Sequence, residues 1–144
     1  MATPADLTER RMMLGAVPLL SELTPHQLEK LAELGLERTI SPGVAIVREG
    51  EQGLGFYLIL RGTAEVQRSG RTVASLSSGE FFGESALLEA QPRTADVLAK
   101  TEVRCLTLER RAFWEALGID PNLNRTDFEE AIRRFRSSRG QLTE

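Results

Sequence analysis

A succession of short strand-like segments separated by turn residues dominates the middle of the chain. Within it, β-branched and apolar residues alternate or run together over stretches of four to seven residues. The predicted strands are residues 37–40, 44–48, 56–61, 63–67, 71–76, 93–99 and 103–109. The turns predicted between them are Ser41-Pro42-Gly43, Gln52-Gly53, Arg61-Gly62 and Ser69-Gly70. Many short strands at this spacing favour a sandwich or jelly roll with few free edges.

Helical patterns lie on both sides of these strands. Thr24 followed by Pro25 and Gln27 has the form of a capping box, and the pattern predicts helices within residues 5–36. After the strands, a helix is predicted over residues 110–117, where Gly118 ends it, and a second capping box predicts another helix through about residue 138. The predicted class is therefore α+β, with a jelly roll over residues 37–109 flanked by helices over residues 5–36 and 110–139. All of it is expected to form a single domain, residues 1–144.

Composition excludes several classes of function. The chain has 144 residues and a net charge of −3, so its bulk charge gives no reason to expect nucleic-acid binding. Its one histidine, His26, is expected to face solvent in the first turn of a helix, and its one cysteine, Cys105, to lie in the core. One histidine and one buried thiol leave no triad or metal cluster. We therefore expect neither an enzyme nor a metal site.

The same composition bears on location. A single cysteine cannot form an internal disulfide, which fits a reducing compartment and predicts a cytoplasmic protein. No apolar run approaches the roughly 18 residues of a membrane span. Of the 18 basic residues, all except Lys30 and Lys100 are arginine, a bias that suggests a bacterial genome.

Residues 82–95 carry the strongest indication of function. Gly83, Glu84, Ser85 and Ala86 form a turn of small residues with one carboxylate. A short helix over residues 84–89 would offer free N–H groups to an anion, and Arg93 adds a permanent forked positive charge. Gly83 would let the backbone come close to a ligand. An anion site beside a carboxylate that can accept a hydrogen bond from a hydroxyl group is suited to binding a ribose phosphate.

This segment resembles the phosphate-binding cassette of the cyclic nucleotide-binding domain family. The resemblance rests on two motifs, Phe82-Gly83-Glu84-Ser85-Ala86-Leu87 and Arg93-Thr94-Ala95, with the arginine ten positions after the glycine. It continues upstream, where residues 48–53 and 56–62 resemble a glycine-marked strand region of the family. It covers roughly residues 14–138. Leu54 departs from the family, which often has an acidic residue at this position.

The resemblance implies roles for the cassette residues. Arg93 would pair with the cyclic phosphate, helped by the backbone N–H groups of Ala86 and Thr94. Glu84 would accept the ribose 2′-OH, with Gly83 and Ser85 shaping the turn, although Glu84 could instead cap that turn. In the family, alanine at the position of Thr94 favours cyclic AMP (cAMP), whereas threonine there can bond the amino group of guanine and tolerates both bases. The ligand is expected to be cAMP, with cyclic GMP (cGMP) as a competitor.

In this family the last helix closes over the base as a lid. Here Ile132 and Phe135 are the candidates to cap the base, with Arg134 as a polar contact. The same residues lie on an apolar stripe that would serve equally well as ordinary core packing.

The resemblance predicts a regulatory module that changes conformation when it binds a cyclic nucleotide and signals to a partner protein. Family members that bind DNA carry a helix-turn-helix after the lid helix, and we expect none here, because few residues follow residue 138. Two alternative roles stay open: a scaffold that no longer binds nucleotide, and an excised domain of a larger kinase, channel, enzyme or transcription regulator. Whether the chain forms a homodimer is a separate question that the sequence leaves open.

Overall fold

The computed structural model describes residues 6–21, 23–53, 55–87 and 91–118. Its helices are α1 (Leu7–Gly15), a short 3-10 helix (Pro18–Leu20), α2 (Pro25–Leu34), a second 3-10 helix (Glu84–Leu87) and α3 (Arg110–Ala116). Its strands are β1 (Leu36–Ile40), β2 (Ala45–Val47), β3 (Gln52–Gly53), β4 (Gly55–Arg61), β5 (Ala64–Arg68), β6 (Arg71–Leu76), β7 (Phe81–Phe82), β8 (Gln91–Pro92), β9 (Asp96–Ala99) and β10 (Val103–Glu109).

The strands form two four-stranded sheets and one small pair. One sheet has the order β1-β10-β4-β7 and the other β2-β9-β5-β6, and β3 pairs with β8. All the described pairs are antiparallel. The arrangement of antiparallel sheets with helices at the ends of the strand region agrees with the predicted α+β class and β-roll.

Strand β4 shows why the roll is stable. Its Phe56, Leu58 and Leu60 belong to the cluster that the helices cover, whereas Tyr57 and Ile59 belong to a second cluster with residues of the other sheet. Successive side chains of a strand point to opposite faces, so a continuous apolar run fits a strand that is covered on both sides. The first sheet is therefore the middle layer of the molecule, between the helices and the second sheet.

The capping signals predicted the helices well. Thr24 Oγ1 accepts a hydrogen bond from the Gln27 N–H at 3.1 Å, and Gln27 Oε1 accepts one from the Thr24 N–H at 2.9 Å, which completes the capping box. At the other end of the described chain, α3 ends before Gly118, as predicted. The predicted helix beyond residue 118, with Ile132, Arg134 and Phe135, lies outside the described residues.

The strand prediction was wrong at two places, and it missed the two-residue strands β7 and β8. Gln52-Gly53 was expected to be a turn but forms β3, because it pairs with Gln91–Pro92 from far along the chain. Residues 93–95 were expected to open a strand, yet the next strand begins at Asp96. The backbone of Arg93 bonds instead to the loop before β3: its N–H donates to Glu51 O at 2.7 Å, and its carbonyl accepts from the Gly50 N–H at 2.8 Å.

The one histidine and the one cysteine both lie where the pattern predicted. His26 is exposed, and Cys105 is fully buried in the cluster between the sheets. Burial raises the pKa of the Cys105 thiol to about 11, with Arg38 acting in the opposite direction. The thiol therefore stays protonated at neutral pH, which suits a core residue rather than a nucleophile.

Candidate functional site

The two halves of the predicted cassette meet at one cleft. The cleft has a volume of about 190 Å³ and opens to solvent. Gly83, Ala86, Arg93 and Thr94, four of the predicted site residues, line it. Its apolar wall comes from both sheets and consists of Val47, Val66, Phe82, Ala95 and Val97. The strand pairing that aligns Val66 with Val97 brings these segments together.

Arg93 lies half-buried in the wall of this cleft. Its Nη2 donates a hydrogen bond to the backbone carbonyl of Gly55 at 2.7 Å, and its Cζ lies 5.7 Å from the centroid of the Tyr57 ring. Burial lowers the pKa of Arg93, while nearby Tyr57 and Glu51 act to raise it. A guanidinium remains charged under these conditions, so Arg93 presents a positive charge with several further donors at the cleft.

Gly83 is fitted to Arg93. Its backbone has φ +80°, in the left-handed region, and a Cβ built there would overlap Arg93 Nη1 and lie 2.9 Å from Gly55 O. The sequence interpretation assigned the missing side chain to the approach of a ligand. The structure shows that the missing side chain makes room for the guanidinium of Arg93.

The rest of the cassette forms a tight 3-10 turn, Glu84–Leu87, shorter than the predicted helix over residues 84–89. Glu84 is half-buried at its first position, but it is not among the described residues that line the cleft. The Ala86 N–H donates to Gly83 O at 3.0 Å, so in this structure it is bonded within the turn. Thr94 is exposed at the mouth, and the side chain of Ser85 lies outside what the structure describes.

Three residues around the cleft were not predicted from sequence. Gly55 and Tyr57 hold the guanidinium of Arg93, and Arg68 lines the cleft as a second cation. Gly55 and Tyr57 also line a second cavity, of about 390 Å³, which Arg93 borders as well. Arg93 thus lies in the wall between the two cavities. A motif search along the sequence could not find these residues, because strand pairing alone brings them to the cassette.

A hydrogen bond joins the cassette to α3. Trp114 Nε1 donates to the carbonyl of Leu87, the last residue of the 3-10 turn, at 2.9 Å. The guanidinium of Arg110 lies over the Trp114 ring, 5.4 Å from its centroid. Leu87 and Phe113 are both fully buried in the same cluster. Movement of the turn would therefore change the hydrogen bond and the packing that join it to α3.

Comparison with known proteins decides the family. A family model described as the cyclic nucleotide-binding domain matches residues 37–120, more than half of the chain. The chain belongs to the cyclic nucleotide-binding domain family. The matched region holds all four predicted residues that line the cleft, so the family assignment and the geometry point to the same place. The prediction of a cyclic nucleotide-binding regulatory domain is confirmed at this level.

Curated relatives of this cyclic nucleotide-binding domain are regulatory proteins. It is 42% identical over 116 residues to the cAMP-dependent protein kinase regulatory subunit of Yarrowia lipolytica. The alignment covers 76% of this chain and 31% of that protein. It is 38% identical over 131 residues to the subunit of the same name from Pyricularia oryzae, with 87% and 34% covered. The chain therefore spans about a third of the length of these relatives.

Two solved structures have a fold similar to that of this chain. A cyclic nucleotide-binding-like protein from Brucella abortus matches with a TM-score of 0.73 and 27% identity, over 76% of this chain and 98% of that one. The regulatory domain of Toxoplasma gondii PKA, crystallised with cAMP, matches with a TM-score of 0.66 and 25% identity, over 92% and 50%. The predicted bacterial origin gains no support, because the sequence relatives at 38–42% identity are fungal.

Two general features complete the description. No helix within residues 6–118 that the structure describes is long and apolar enough to cross a membrane. Among the same described residues, no group of three or more His, Cys, Asp or Glu side chains is placed to hold a metal ion.

Proposed function

We propose that this chain is a cAMP receptor module, whose cleft at Arg93 binds the cyclic phosphate. The observation that carries the proposal is the position of Arg93, half-buried in the cleft wall and held beside Gly83. A phosphate entering a partly dry cleft requires a charged donor to replace water, and a guanidinium meets that need. The names of the fungal relatives and the cAMP complex of the Toxoplasma domain support cAMP as the ligand.

The remaining cassette residues contact different parts of the nucleotide. Glu84 accepts the ribose 2′-OH, and Gly83, Ser85 and the N–H groups of Ala86 and Thr94 complete the phosphate end. Because the Ala86 N–H already bonds to Gly83 O, it contacts the phosphate only if the turn opens or the bond is shared. The Thr94 hydroxyl, exposed at the mouth, can reach a base, which keeps cGMP as a competing ligand.

The cleft, at about 190 Å³, is smaller than the roughly 300–1,000 Å³ of closed ligand pockets, so it would enclose a nucleotide incompletely. In this proposal, residues from elsewhere in the chain cover the open side. We assign that role to Ile132 and Phe135, with Arg134 as a polar contact. Closure of this segment, coupled through the bond between Trp114 and Leu87, would signal to a partner protein. Because the relatives are named as regulatory subunits of a protein kinase, we propose that this partner belongs to a protein kinase and that the module itself is not an enzyme.

Calorimetric titration of the whole chain with cAMP, cGMP and 2′-deoxy-cAMP tests the proposal. We expect binding of cAMP, weaker binding of cGMP, and an affinity for the 2′-deoxy ligand lower by roughly 5- to 100-fold, because Glu84 loses its partner. In Glu84→Gln the difference between cAMP and its 2′-deoxy form should shrink. A well-folded chain that binds neither cyclic nucleotide would overturn the proposal in favour of a scaffold.

A further inference from the structure

Arg93 is a long side chain that must be aimed before it can bind a phosphate well. Its backbone is fixed by the two hydrogen bonds to residues 50 and 51. Beyond the backbone, an arginine side chain has many rotamers, and ordering it during binding subtracts from affinity. A partner that holds the guanidinium in place beforehand therefore raises affinity without touching the ligand.

Two groups hold the guanidinium from the side away from the cleft. Gly55 and Tyr57 line the second cavity together with Arg93, and neither is among the described residues of the first cleft. Gly55 O takes one donor, and the Tyr57 ring lies 5.7 Å from Arg93 Cζ, within the usual reach of a cation–π contact. The donors that remain can face the cleft.

Tyr57 is itself held rigidly. Its ring stacks on the Phe82 ring with centroids 4.9 Å apart and planes 7° apart. Strand pairing fixes this contact, because Tyr57 lies opposite Phe82 in register and opposite Thr107 on the other side. Phe82 directly precedes Gly83, whose backbone abuts the guanidinium. Tyr57, Phe82, Gly83 and Arg93 are therefore one packed unit.

The aromatic contact differs from an ion pair in one important respect. A carboxylate bound to Arg93 would neutralise it and compete with an incoming phosphate, whereas an aromatic face attracts the cation and leaves its charge intact. None of the described ion pairs involves Arg93. The nearby Glu51 carboxylate accepts a hydrogen bond from the Arg48 N–H at 2.9 Å instead.

We infer that Tyr57 is a positioning residue for nucleotide binding: its ring, braced by Phe82, orients Arg93 towards the phosphate from behind. The inference rests on the proposed function, since it concerns the affinity of the same cleft. It predicts that an aromatic ring at residue 57 is needed and that the hydroxyl group is not.

The test compares cAMP affinity by calorimetry in the wild-type chain, Tyr57→Phe and Tyr57→Leu. Tyr57→Phe should bind within about 2-fold of wild type, and Tyr57→Leu should bind about 3- to 30-fold more weakly, the range expected for loss of a cation–π contact. Thermal melting of each variant identifies any loss of folding. If wild type binds and Tyr57→Leu binds equally well, the inference is wrong while the proposed function stands; if wild type itself does not bind, the proposed function fails.

A second comparison separates positioning from a general effect on the fold. Arg93→Lys keeps a positive charge but loses the forked, planar group that lies over the ring. In the Arg93→Lys background, Tyr57→Leu should cost no more than about 2-fold, because there is no guanidinium left to orient. An equal loss in both backgrounds would show that Tyr57 acts through the strand and not through Arg93, and would overturn the inference.

Discussion

Gly83 and Arg93 pack so closely that a methyl group on residue 83 should displace the guanidinium from its present position. Gly83→Ala places a Cβ against the guanidinium, in a backbone with φ +80°. Gly79→Ala is a matched control, because Gly79 has φ +89° and no neighbouring atom within 4 Å of a built Cβ. Both should lose about 1–2 kcal/mol of unfolding free energy from the left-handed backbone alone.

Only Gly83→Ala should also weaken cAMP binding, because only there must Arg93 move aside. Denaturant unfolding and calorimetry on the two variants measure the two effects separately. Equal cAMP affinity in both variants would mean that the position of the guanidinium beside Gly83 has no importance for the ligand.

At the residue scale the sequence predicted the cassette better than its surroundings. Gly83, Ala86, Arg93 and Thr94 lie close enough in the chain to be read as one motif, and the structure brings them to one cleft. Tyr57 and Gly55 could not be found in this way. They reach Arg93 only through pairing between strands that are distant in sequence, and an aromatic residue in an apolar strand looks like ordinary core.

At the scale of elements, a cluster of two arginines and a glutamate ties α1 to the first sheet. Glu37 accepts hydrogen bonds from Arg10 at 3.0 Å and Arg104 at 3.1 Å, and all three side chains are at most 15% exposed. Arg10 also donates to the carbonyls of Ala32 and Gly35 at the end of α2. One carboxylate thus compensates two largely buried cations.

Glu37→Gln should therefore destabilise the chain by about 1.5–3 kcal/mol, because both arginines lose their charged acceptor. Glu65→Gln is the control: Glu65 pairs with Lys100 on the surface, where Lys100 is 61% exposed, and its loss should leave stability almost unchanged. Denaturant unfolding near pH 7 compares the two. If Glu37→Gln is as stable as Glu65→Gln, the cluster has no part in docking α1.

Helix α3 carries a tryptophan whose fluorescence can report movement of the cassette. Trp114 is the only tryptophan of the chain and donates its indole N–H to Leu87 O at 2.9 Å. Ligand that moves the 84–87 turn should change this bond and with it the tryptophan emission. We expect a fluorescence change that saturates with the same Kd as calorimetry. Calorimetric binding without any change in emission would show that the turn and α3 are not coupled.

Elements with local signals were the predictable ones. A capping box identifies α2 because its hydrogen bonds join residues three apart. The two-residue strands β3 and β8 have no comparable signal, since each is defined only by the other. The same reason explains why residues 93–95 were expected to form a strand, although Arg93 bonds to the loop at residues 50 and 51.

At the scale of the whole molecule, the family match and the position of the cleft support one account, in which the roll holds a cyclic nucleotide at Arg93. Ligand that binds the folded state alone also stabilises it, by roughly 2.7 kcal/mol at a concentration 100 times the Kd. The gain in stability that a fixed concentration of cAMP causes should therefore fall in every variant of the cleft that binds cAMP more weakly.

Calorimetric titration of cAMP into the wild-type chain, Arg93→Ala and Arg111→Ala tests this account most directly. Arg111 is an exposed arginine of α3, so its variant loses the same charge away from the cleft. The account predicts that Arg93→Ala weakens binding by about 2–5 kcal/mol, or roughly 30- to several-thousand-fold, while Arg111→Ala binds as wild type does. Equal affinity for cAMP in a folded Arg93→Ala chain would contradict it.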